Sequence, residues 1–468
     1  MLDIGFTGPR FTWSNRRPLT QLIQERIDRV FINTEWNVLF LEVIVKHLER
    51  IHSDHCPIML SLVCEPSIRL TRPFKFQPMR LSHSDFTGVV SDIWSEAPSF
   101  SFAVTRFEAK AKDWNKKHFG NILHKKNKIR ARLRGVQTTL ANKPNEFLVN
   151  LDNALRAEYL EVCRLEEDFW AVKARISRLV EGNRNTSFFR ASALVRCRRN
   201  RISGMKDRMG NWLKGDREIA EYIRNGFLEL FSTNQCSAPL LDWYPPFWQV
   251  PLLADNAKRL ASPITNSEIR FAIWSLKPYK APRPDDLHAG FFQHLWHIAG
   301  DSMKDEVKLI FSSGMIPEYL NKTLITLIPK CSNPESLGNY RPISLYNSIY
   351  KVVTKIIMGR IRPKLLELVS PLQTAFVSGR NRVDNAIIVK ELVHSMSKKK
   401  GRSGAMAIKI DLEKAYDCLE WSFIWDTLKL FKLPHSMISL IMSCVSTSTI
   451  SVLFNGGALE SFQPTRGI

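Results

Sequence analysis

The sequence lacks the features that mark several large classes of protein. Its eight cysteines are scattered through 468 residues without a Cys-x-x-Cys pair or a cysteine–histidine cluster, which argues against a zinc module and a disulfide scaffold. No stretch reaches the roughly 20 apolar residues that a membrane-spanning helix needs. No charged start leads into an apolar run, as it would in a signal peptide. These absences predict an intracellular protein, of the nucleus or the cytoplasm, that has no membrane partner.

Acidic side chains are scarce relative to basic ones. The chain has 67 Lys and Arg against 45 Asp and Glu, which gives a formal net charge of +22. The stretch from Arg106 to Arg208 alone holds 25 basic and 11 acidic side chains and so carries +14 of this charge. Such an excess favours a polyanionic partner, most often nucleic acid, although a ribosomal-type or membrane-surface protein would share it.

The patterning divides the chain into four stretches. They are a β-rich segment at 1–66, a basic helical region at 67–235, a proline-rich connector at 236–263 and a mixed α/β region at 264–468. Short apolar runs separated by turn residues indicate the strands of the first stretch. The whole is therefore expected to belong to the mixed α/β class, with at least two cores.

The basic helical region contains two patterns that bear on function. Apolar side chains recur every three or four residues between Leu148 and Leu179, which predicts one long helix packed against a neighbour rather than a ligand site. An arginine-rich run is a candidate phosphate-contacting site, with a solvated helix face as the alternative. Its members are Arg196, Arg198, Arg199 and Arg201.

Helices and strands alternate in the predicted structure of residues 264–468. Helices are expected near 266–276, 287–313 and 347–366, and strands at Thr323–Pro329 and Ala405–Ile410. A closing hairpin is expected to join Thr449–Phe454 to Ala458–Phe462. Its turn contains Asn455-Gly456, a dipeptide that favours the positive φ angles of a tight turn.

The strand predicted at Ala405–Ile410 ends at an acidic residue, Asp411, and Leu412–Asp417 is predicted to open a helix. A carboxylate at the carboxyl end of a strand can face a cleft and hold a divalent metal for phosphoryl transfer. The alternative is that Asp411 caps the following helix. Because one carboxylate cannot hold two metal ions, two-metal chemistry here needs partner carboxylates.

Several motifs occur in the order and spacing of a known family. They are Leu324 to Lys330 (LITLIPK), Asn339 to Leu345 (NYRPISL), Gln373 to Phe376 (QTAF), Asp384 to Ala386 (DNA), Lys409 to Asp411 (KID) and Pro464 to Ile468 (PTRGI). Together they resemble the reverse transcriptases of non-LTR (LINE-type) retrotransposons, most closely those of plant genomes. The resemblance implies a right-hand polymerase, with fingers and a partial palm in residues 264–468. It also implies an RNA template, a DNA primer or target, deoxynucleoside triphosphates and Mg²⁺.

The same resemblance implies roles for four residues. Asp411 matches the first catalytic, metal-binding aspartate of the palm. Tyr416 matches the aromatic residue that screens the sugar 2′ position. Lys330 and Arg341 match the basic residues of the fingers that hold the triphosphate, and a point-charge Lys beside a forked Arg suits phosphate oxygens. Ordinary surface charges beside a strand are the alternative for these two residues.

The N-terminal stretch resembles a second domain of the same polyproteins. Three of its motifs carry the likeness: Phe11 to Asn15 (FTWSN), Arg26 to Val30 (RIDRV) and Ser53 to Ile58 (SDHCPI). They resemble the end of an endonuclease of the exonuclease–endonuclease–phosphatase superfamily, and so imply the remnant of a four-layer α/β domain. By that match His55 contacts the scissile phosphate, Asp28 orients and charges His55, and Asp54 positions the nucleophilic water. Residues 181–186 also resemble the linker of these polyproteins.

Three departures from the family pattern bear on the activity that the resemblance implies. The metal-binding residues of the endonuclease are expected to precede Met1, and the paired-aspartate turn of the polymerase is expected to follow Ile468. Arg283 and Asp286 stand where the family has glycine, a residue that usually serves a positive φ. The sequence thus predicts a LINE-type RNA-directed DNA polymerase with an endonuclease remnant, inactive as this chain. One alternative is a non-catalytic nucleic-acid-binding protein that uses the basic helical region; another is a decayed product that does not fold stably.

Overall fold

The structure is a computed structural model of the 468-residue chain. It describes the whole chain except residues 1, 34, 35, 37–39, 41, 42, 52, 63–67, 69, 71–75, 78, 79, 82, 119–121, 175–185, 214, 234–251, 279–283, 286, 402 and 403. The predicted linker motif up to residue 185, most of the predicted proline-rich connector, and the substituted positions Arg283 and Asp286 lie outside the described residues.

Short antiparallel strand pairs make up the N-terminal part of the chain. The strands are β1 (Leu2–Asp3), β2 (Trp13–Ser14), β3 (Gln24–Glu25), β4 (Phe31–Ile32), β5 (Ile44–His47) and β6 (Ile58–Ser61). β1 pairs with β4, β2 with β3, and β5 with β6. The Asp28 amide donates to the Thr12 hydroxyl oxygen at 3.0 Å rather than to a neighbouring strand, so the apolar run before β4 does not form one continuous strand.

Helices dominate the basic stretch, as its pattern predicts. They are α1 (Ser84–Ser95), α2 (Phe100–His118), α3 (Ile122–Asn142), α4 (Glu146–Ala174), α5 (Thr186–Arg199) and α6 (Gly215–Leu230). In α4 the predicted apolar stripe packs against α3, where Leu155 and Val162 bury Ile129 between them. The packing interpretation of that stripe is therefore confirmed.

The C-terminal part combines helices with one four-stranded sheet. The helices are α7 (Ala254–Ala261), α8 (Asn266–Trp274), α9 (Ala289–His294), α10 (Trp296–Ser313), α11 (Ser348–Ile361), α12 (Leu365–Leu368), α13 (Arg382–Lys398), α14 (Trp421–Leu430) and α15 (His435–Ser446). The strands are β7 (Lys322–Pro329), β8 (Tyr340–Tyr346), β9 (Thr449–Phe454) and β10 (Gly457–Ala458). Helices and strands together confirm the mixed α/β class. No helix in the described part of the chain is long and apolar enough to cross a membrane.

The sheet has the strand order β10-β9-β7-β8. β7 runs antiparallel to β8 and parallel to β9, while β9 and β10 form the predicted hairpin. Asn455 and Gly456 form its turn with φ angles of 47° and 91°, which confirms that the dipeptide selects a turn with positive φ. β10 is shorter than the predicted strand; beyond it the pairing continues through the Leu459 amide, which donates to the Val452 carbonyl at 2.9 Å, and through an isolated bridge from Phe462 to Ile450.

Two buried cores join the basic helices to the C-terminal part. In the larger core, Phe86 of α1 and Phe107 of α2 pack with Phe291 of α9 and Met437 of α15. In the smaller core, α6 covers one face of the sheet. Helices from the predicted region 67–235 thus share their cores with residues from 264–468.

The face of the sheet that contacts α6 is apolar by strand alternation. Ile325 of β7 and Val452 of β9 are register partners, and both point toward Ile223 and Phe227 of α6. Side chains two residues apart share a face of a strand, so the opposite face carries the residues in between. That opposite face bears two of the candidate substrate-binding residues, Lys330 and Arg341.

Two predictions around the acidic motif are wrong. Ala405–Ile410 forms no strand, since no described strand pairs with it, and its apolar side chains are exposed, with Met406 at 81% and Ile408 at 72%. Leu412–Asp417 opens no helix either; the chain turns there, and Lys414 adopts a φ of 52°. An alternating apolar pattern becomes a strand only where a neighbour supplies the hydrogen bonds.

Candidate active site

The β7–β8 hairpin brings two of the predicted substrate-binding residues together. Arg341 is the register partner of Ile328, and the Lys330 amide donates to the Asn339 carbonyl at 2.8 Å, which continues the pairing beyond β7. Lys330 lies two residues after Ile328, so by strand alternation its side chain and that of Arg341 share one face. Both residues are exposed. The arrangement presents two cations on one side of a rigid hairpin.

The loop between the two strands is held by its own polar groups. The Asn339 side-chain oxygen accepts from the backbone amides of Glu335 and Ser336 at 3.1 and 3.0 Å. Lys206 forms an ion pair with Glu335 at 2.6 Å. Lys330 donates through Nζ to the Gly338 carbonyl at 2.8 Å. These bonds fix the loop, and sequence reasoning did not identify Asn339 as the residue that organises it.

Asp411 lies apart from any cluster of metal ligands. It is exposed, and it forms no ion pair with another described residue. The described chain contains no group of three or more His, Cys, Asp or Glu residues that could hold a metal ion. A Mg²⁺ ion prefers six oxygen ligands in a near-octahedral arrangement, and one exposed carboxylate does not meet that requirement. The described residues therefore do not fit a two-metal centre.

Through its backbone and its ring, Tyr416 contacts two other segments that carry motifs of the family pattern. Its carbonyl accepts from the Ile468 amide at 3.2 Å. Its ring meets the Phe376 ring edge-on, with centroids 6.3 Å apart. Tyr416 is 58% exposed, so much of the residue is accessible to solvent.

Backbone and side-chain contacts anchor the segment Pro464–Ile468 to neighbouring parts of the chain. The amides of Thr465 and Arg466 donate to the Phe231 carbonyl at 2.8 and 3.2 Å. The Arg466 guanidinium donates to the Leu230 carbonyl at 3.0 Å and approaches Glu420 at 3.6 Å. These contacts hold the segment against the end of α6.

Gly467 is the tightest point of that segment. Its amide donates to the Leu419 carbonyl at 2.7 Å, and its carbonyl accepts from the Trp421 indole N–H at 2.8 Å. Its φ is +86°, and a Cβ atom there would lie 2.5 Å from the Asp417 carbonyl oxygen. Only glycine fits this position.

The N-terminal motifs converge on a carboxylate–imidazole pair. His55 Nδ1 and Asp28 Oδ2 are 2.9 Å apart, and an isolated bridge between Trp13 and His55 aligns the two segments. The hydrogen bond to His55 lowers the pKa of Asp28, with a smaller contribution from Thr12. The structure thus brings together two residues that are 27 positions apart in the sequence.

Asp54, the third predicted residue of this site, is held by a different partner. Its Oδ2 accepts from the Trp13 indole N–H at 2.9 Å, and this bond lowers the pKa of Asp54. Ser53 Oγ donates to its other oxygen at 3.4 Å. Asp54 is therefore oriented by Trp13, a residue whose role sequence reasoning did not assign.

The four arginines predicted to contact phosphate differ in what they bind. Arg196 donates to the carbonyls of Lys173 and Ala174 at the end of α4. Arg198 donates to the Phe40 carbonyl at 3.1 Å, and burial lowers its pKa. Arg199 is exposed. Two of the guanidiniums thus serve the fold.

The comparison with protein families identifies the segment that carries the candidate polymerase residues. Residues 328–468 match the model described as reverse transcriptase (RNA-dependent DNA polymerase). This range contains Lys330, Arg341, Asp411 and Tyr416. The chain therefore contains a segment similar to reverse transcriptases.

Curated relatives indicate which kind of transposable element encodes similar proteins. An uncharacterized 149 kDa protein of transposon TX1 from Xenopus laevis is 25% identical over 95% of this chain and 34% of its own length. A Pol polyprotein of the type-2 retrotransposable element R2DM from Drosophila melanogaster is 24% identical over 55% of this chain and 24% of its own. The RNA-directed DNA polymerase of the mobile element jockey from Drosophila funebris is 25% identical over 39% of this chain and 20% of its own.

These relatives confirm the resemblance to non-LTR, LINE-type retrotransposon proteins that the motifs predict. The chain spans about a third or less of the length of each of them. The predicted endonuclease remnant and the predicted likeness to plant elements stay predictions.

Proposed function

We propose that this chain is part of an RNA-directed DNA polymerase of a LINE-type retrotransposon, in which residues 264–468 supply fingers and a partial palm. The substrates are an RNA template, a DNA primer or target, and deoxynucleoside triphosphates, in the nucleus or the cytoplasm. The observation that carries the proposal is the β7–β8 hairpin, which presents Lys330 and Arg341 on one exposed face within the segment that matches the reverse transcriptase family.

The chemistry of the hairpin suits a triphosphate. The Arg341 guanidinium can donate two parallel N–H bonds to phosphate oxygens, while the Lys330 ammonium supplies a compact charge beside it. The fixed loop holds both at little cost in side-chain ordering on binding. The Tyr416 ring, which lies edge-on to Phe376 in an exposed residue, is the group that would contact the sugar.

This proposal distinguishes the binding of nucleotide and nucleic acid from the extension of a primer. When bound, Mg²⁺ would activate the primer hydroxyl and steady the leaving group, but the described residues contain no group of three or more possible ligands to hold it. We therefore propose that this chain binds nucleotide and nucleic acid without extending a primer.

Nucleotide binding is the direct test. Anisotropy of a fluorescent deoxynucleoside triphosphate should show that Arg341→Ala weakens binding about 10- to 100-fold, because a charge-assisted bond contributes roughly 1.5–3 kcal/mol. Arg341→Lys should recover only part of the loss. Arg259→Ala, which removes an exposed cation on α7, is the matched control. Equal affinity of the Arg341→Ala and Arg259→Ala variants for the nucleotide would refute the assignment of Arg341 to triphosphate binding.

Primer extension tests the second half of the proposal. An RNA template with an annealed DNA primer, deoxynucleotides and Mg²⁺ should yield no extended product, and Asp411→Asn should not alter that result. Extension that Asp411→Asn abolishes would show that the chain assembles a working palm.

The N-terminal site supports a second proposal. We infer that residues 1–66 are the end of an endonuclease domain of the exonuclease–endonuclease–phosphatase superfamily, a four-layer α/β fold, in which His55 contacts a phosphodiester and Asp28 orients and charges His55. Its support is the 2.9 Å bond between the pair, which is a sensible arrangement for stabilising charge on phosphate. His55→Ala should weaken binding of a duplex with an abasic site severalfold, whereas His394→Ala, on the exposed surface of α13, should not. Identical affinities would contradict it.

A further inference from the structure

Helix α3 is strongly basic and contains no acidic residue. Within Ile122–Asn142 there are six Lys or Arg side chains and neither Asp nor Glu. The six cations are Lys125, Lys126, Lys128, Arg130, Arg132 and Arg134. Such a helix lacks the alternating charges that usually support a solvated helix face.

The neighbouring helix neutralises only the first two of these cations. Lys126 pairs with Glu166 at 2.6 Å, and Lys125 approaches Glu158 at 3.7 Å, both on α4. The other four cations are exposed, and no carboxylate of a described residue lies within ion-pairing distance of them. They therefore form a group of uncompensated charges.

Helical geometry divides the four cations into two rows. Successive residues are about 100° apart around a helix with 3.6 residues per turn. Lys128 and Arg132 therefore lie one above the other on one flank, and Arg130 and Arg134 on the opposite flank. Ile129 lies between the flanks on the buried side, where it packs against α4. The other side, between the rows, faces solvent.

The solvent side between the rows is a crest of small, uncharged residues. Ala131 and Gly135 are both exposed there, and a Cβ atom at Gly135 would meet no other described atom within 4 Å. The backbone of a nucleic acid could approach this crest closely, and the cations on both flanks could then reach its phosphates. Like charges one turn apart repel each other within each row, and an anionic partner would relieve that repulsion.

We propose that the crest of α3, flanked by Lys128, Arg130, Arg132 and Arg134, binds the phosphate backbone of a nucleic acid. This surface is distinct from the arginine-rich run of α5, in which Arg196 and Arg198 already donate to backbone carbonyls. The inference rests on the proposed function only in taking a nucleic acid as the partner. It specifies which cations make the contact.

The salt dependence of binding provides the test. Fluorescein-labelled single-stranded RNA and a DNA duplex of equal length are titrated with the full chain over a series of KCl concentrations. Each phosphate contact contributes about 0.9 to the slope of log affinity against log salt on a duplex and about 0.7 on a single strand. Replacing Lys128, Arg130, Arg132 and Arg134 by Gln should therefore reduce the slope by about three and weaken binding at least tenfold at low salt.

Two controls distinguish an effect specific to this surface from the effect of a general loss of positive charge. Gln at four exposed cations of other helices, Lys258, Arg259, Lys308 and Lys390, should leave the slope nearly unchanged. At the crest itself, Ala131→Glu should weaken binding severalfold, whereas Ala131→Gln, of nearly the same size, should have little effect. Circular dichroism checks that each variant keeps its helices.

The outcomes decide both the surface and the ligand. If the wild-type chain binds RNA more tightly than duplex DNA, or the reverse, and the α3 variant loses that difference in affinity, the more tightly bound nucleic acid is the ligand. An unchanged slope in the α3 variant, or an equal loss in the control variant, would overturn the proposal. So would equally tight binding to vesicles of anionic lipid, since that would identify a membrane surface. None of these measurements depends on nucleotide binding or primer extension, so the proposed polymerase function can fail separately.

Discussion

At the scale of single residues, the anchoring of Pro464–Ile468 depends on one glycine. Gly467 combines a φ of +86° with a carbonyl oxygen 2.5 Å from where a Cβ would lie. Gly467→Ala should therefore lower the free energy of unfolding by about 2 kcal/mol or more, because both the conformation and the contact oppose a methyl group. Urea denaturation followed by circular dichroism measures the change.

A second glycine gives the matched control for this prediction. Gly359 lies inside α11, where a Cβ would meet nothing within 4 Å. Gly359→Ala should raise the free energy of unfolding by about 0.5–1 kcal/mol, as expected inside a helix. Equal effects of the two substitutions would show that the close approach at Gly467 does not determine stability.

The ion pair between Arg360 and Glu268 predicts a pH dependence. Arg360 Nε and Nη2 donate to the two carboxylate oxygens at 2.8 and 3.0 Å, and Nη1 donates to the carbonyl of Leu260 at 3.1 Å. The hydrogen bond from Arg360 lowers the pKa of Glu268. Because the folded pKa lies below the unfolded one, the stabilisation is fully present above the unfolded value and is lost as the pH falls through the folded pKa.

Glu268→Gln should consequently destabilise the protein at pH 7 and have progressively less effect below about pH 4.3, where the ordinary Glu pKa lies. Urea unfolding of both proteins between pH 3 and 8 tests this sign. Glu413→Gln, at an exposed turn position, should show no comparable difference. A difference between wild type and Glu268→Gln that is constant with pH would exclude ionic stabilisation by this pair.

Single residues also show where sequence reasoning ends. The family resemblance made Lys330 and Arg341 candidates for substrate binding, and the hairpin register places them on one face. The charge pattern made Arg196 and Arg198 candidates for phosphate contact, because a sequence does not show which carbonyls a guanidinium will meet after folding. The sequence already shows that α3 contains no acidic residue. This absence indicates that the cations of α3 are a different candidate group for phosphate contact.

At the scale of elements, the segment around Ala405–Ile410 has strand-like chemistry without a strand. Ile408 and Ile410 are 72% and 77% exposed, and several apolar side chains of α13 are exposed as well. Exposed apolar rows favour self-association. Replacing both isoleucines by Lys should reduce concentration-dependent association, measured by sedimentation velocity, while changing the free energy of unfolding by less than about 0.5 kcal/mol.

The control adds the same charge elsewhere on the surface. Asn142→Lys together with Ser397→Lys introduces two cations on exposed helical positions without removing apolar area. Association that falls equally in both double variants would attribute the effect to net charge. A large loss of stability in the isoleucine variant would instead mean that these side chains are buried in solution.

At the scale of the whole molecule, the larger core ties a helix of the basic stretch to the C-terminal part of the chain. Phe107 of α2 is 1% exposed, and its ring centroid lies 5.0 Å from that of Phe291. Phe107→Ala should cost about 3–5 kcal/mol and should speed hydrogen exchange in α9 and α10 as well as in α2. This outcome would also contradict the alternative of a product that does not fold stably.

A surface aromatic residue serves as the comparison. Phe147 in α4 is 72% exposed, so Phe147→Ala should change the free energy of unfolding by less than about 0.5 kcal/mol. If Phe107→Ala affects exchange only within α2, the basic helices and the C-terminal part unfold as separate units.

The sequence by itself determined what depends on near neighbours along the chain. Helical periods predicted α4 and α8, the Asn455-Gly456 pair predicted a turn with positive φ, and the ordered motifs predicted a reverse transcriptase segment. Tertiary structure decided what depends on distant partners. It left Ala405–Ile410 unpaired, joined α2 and α6 to cores of the C-terminal part, and distinguished internally bonded arginines from exposed ones. The physical reason is that strand pairing, burial and ion pairing each need a second group, and the chain places that group only by folding.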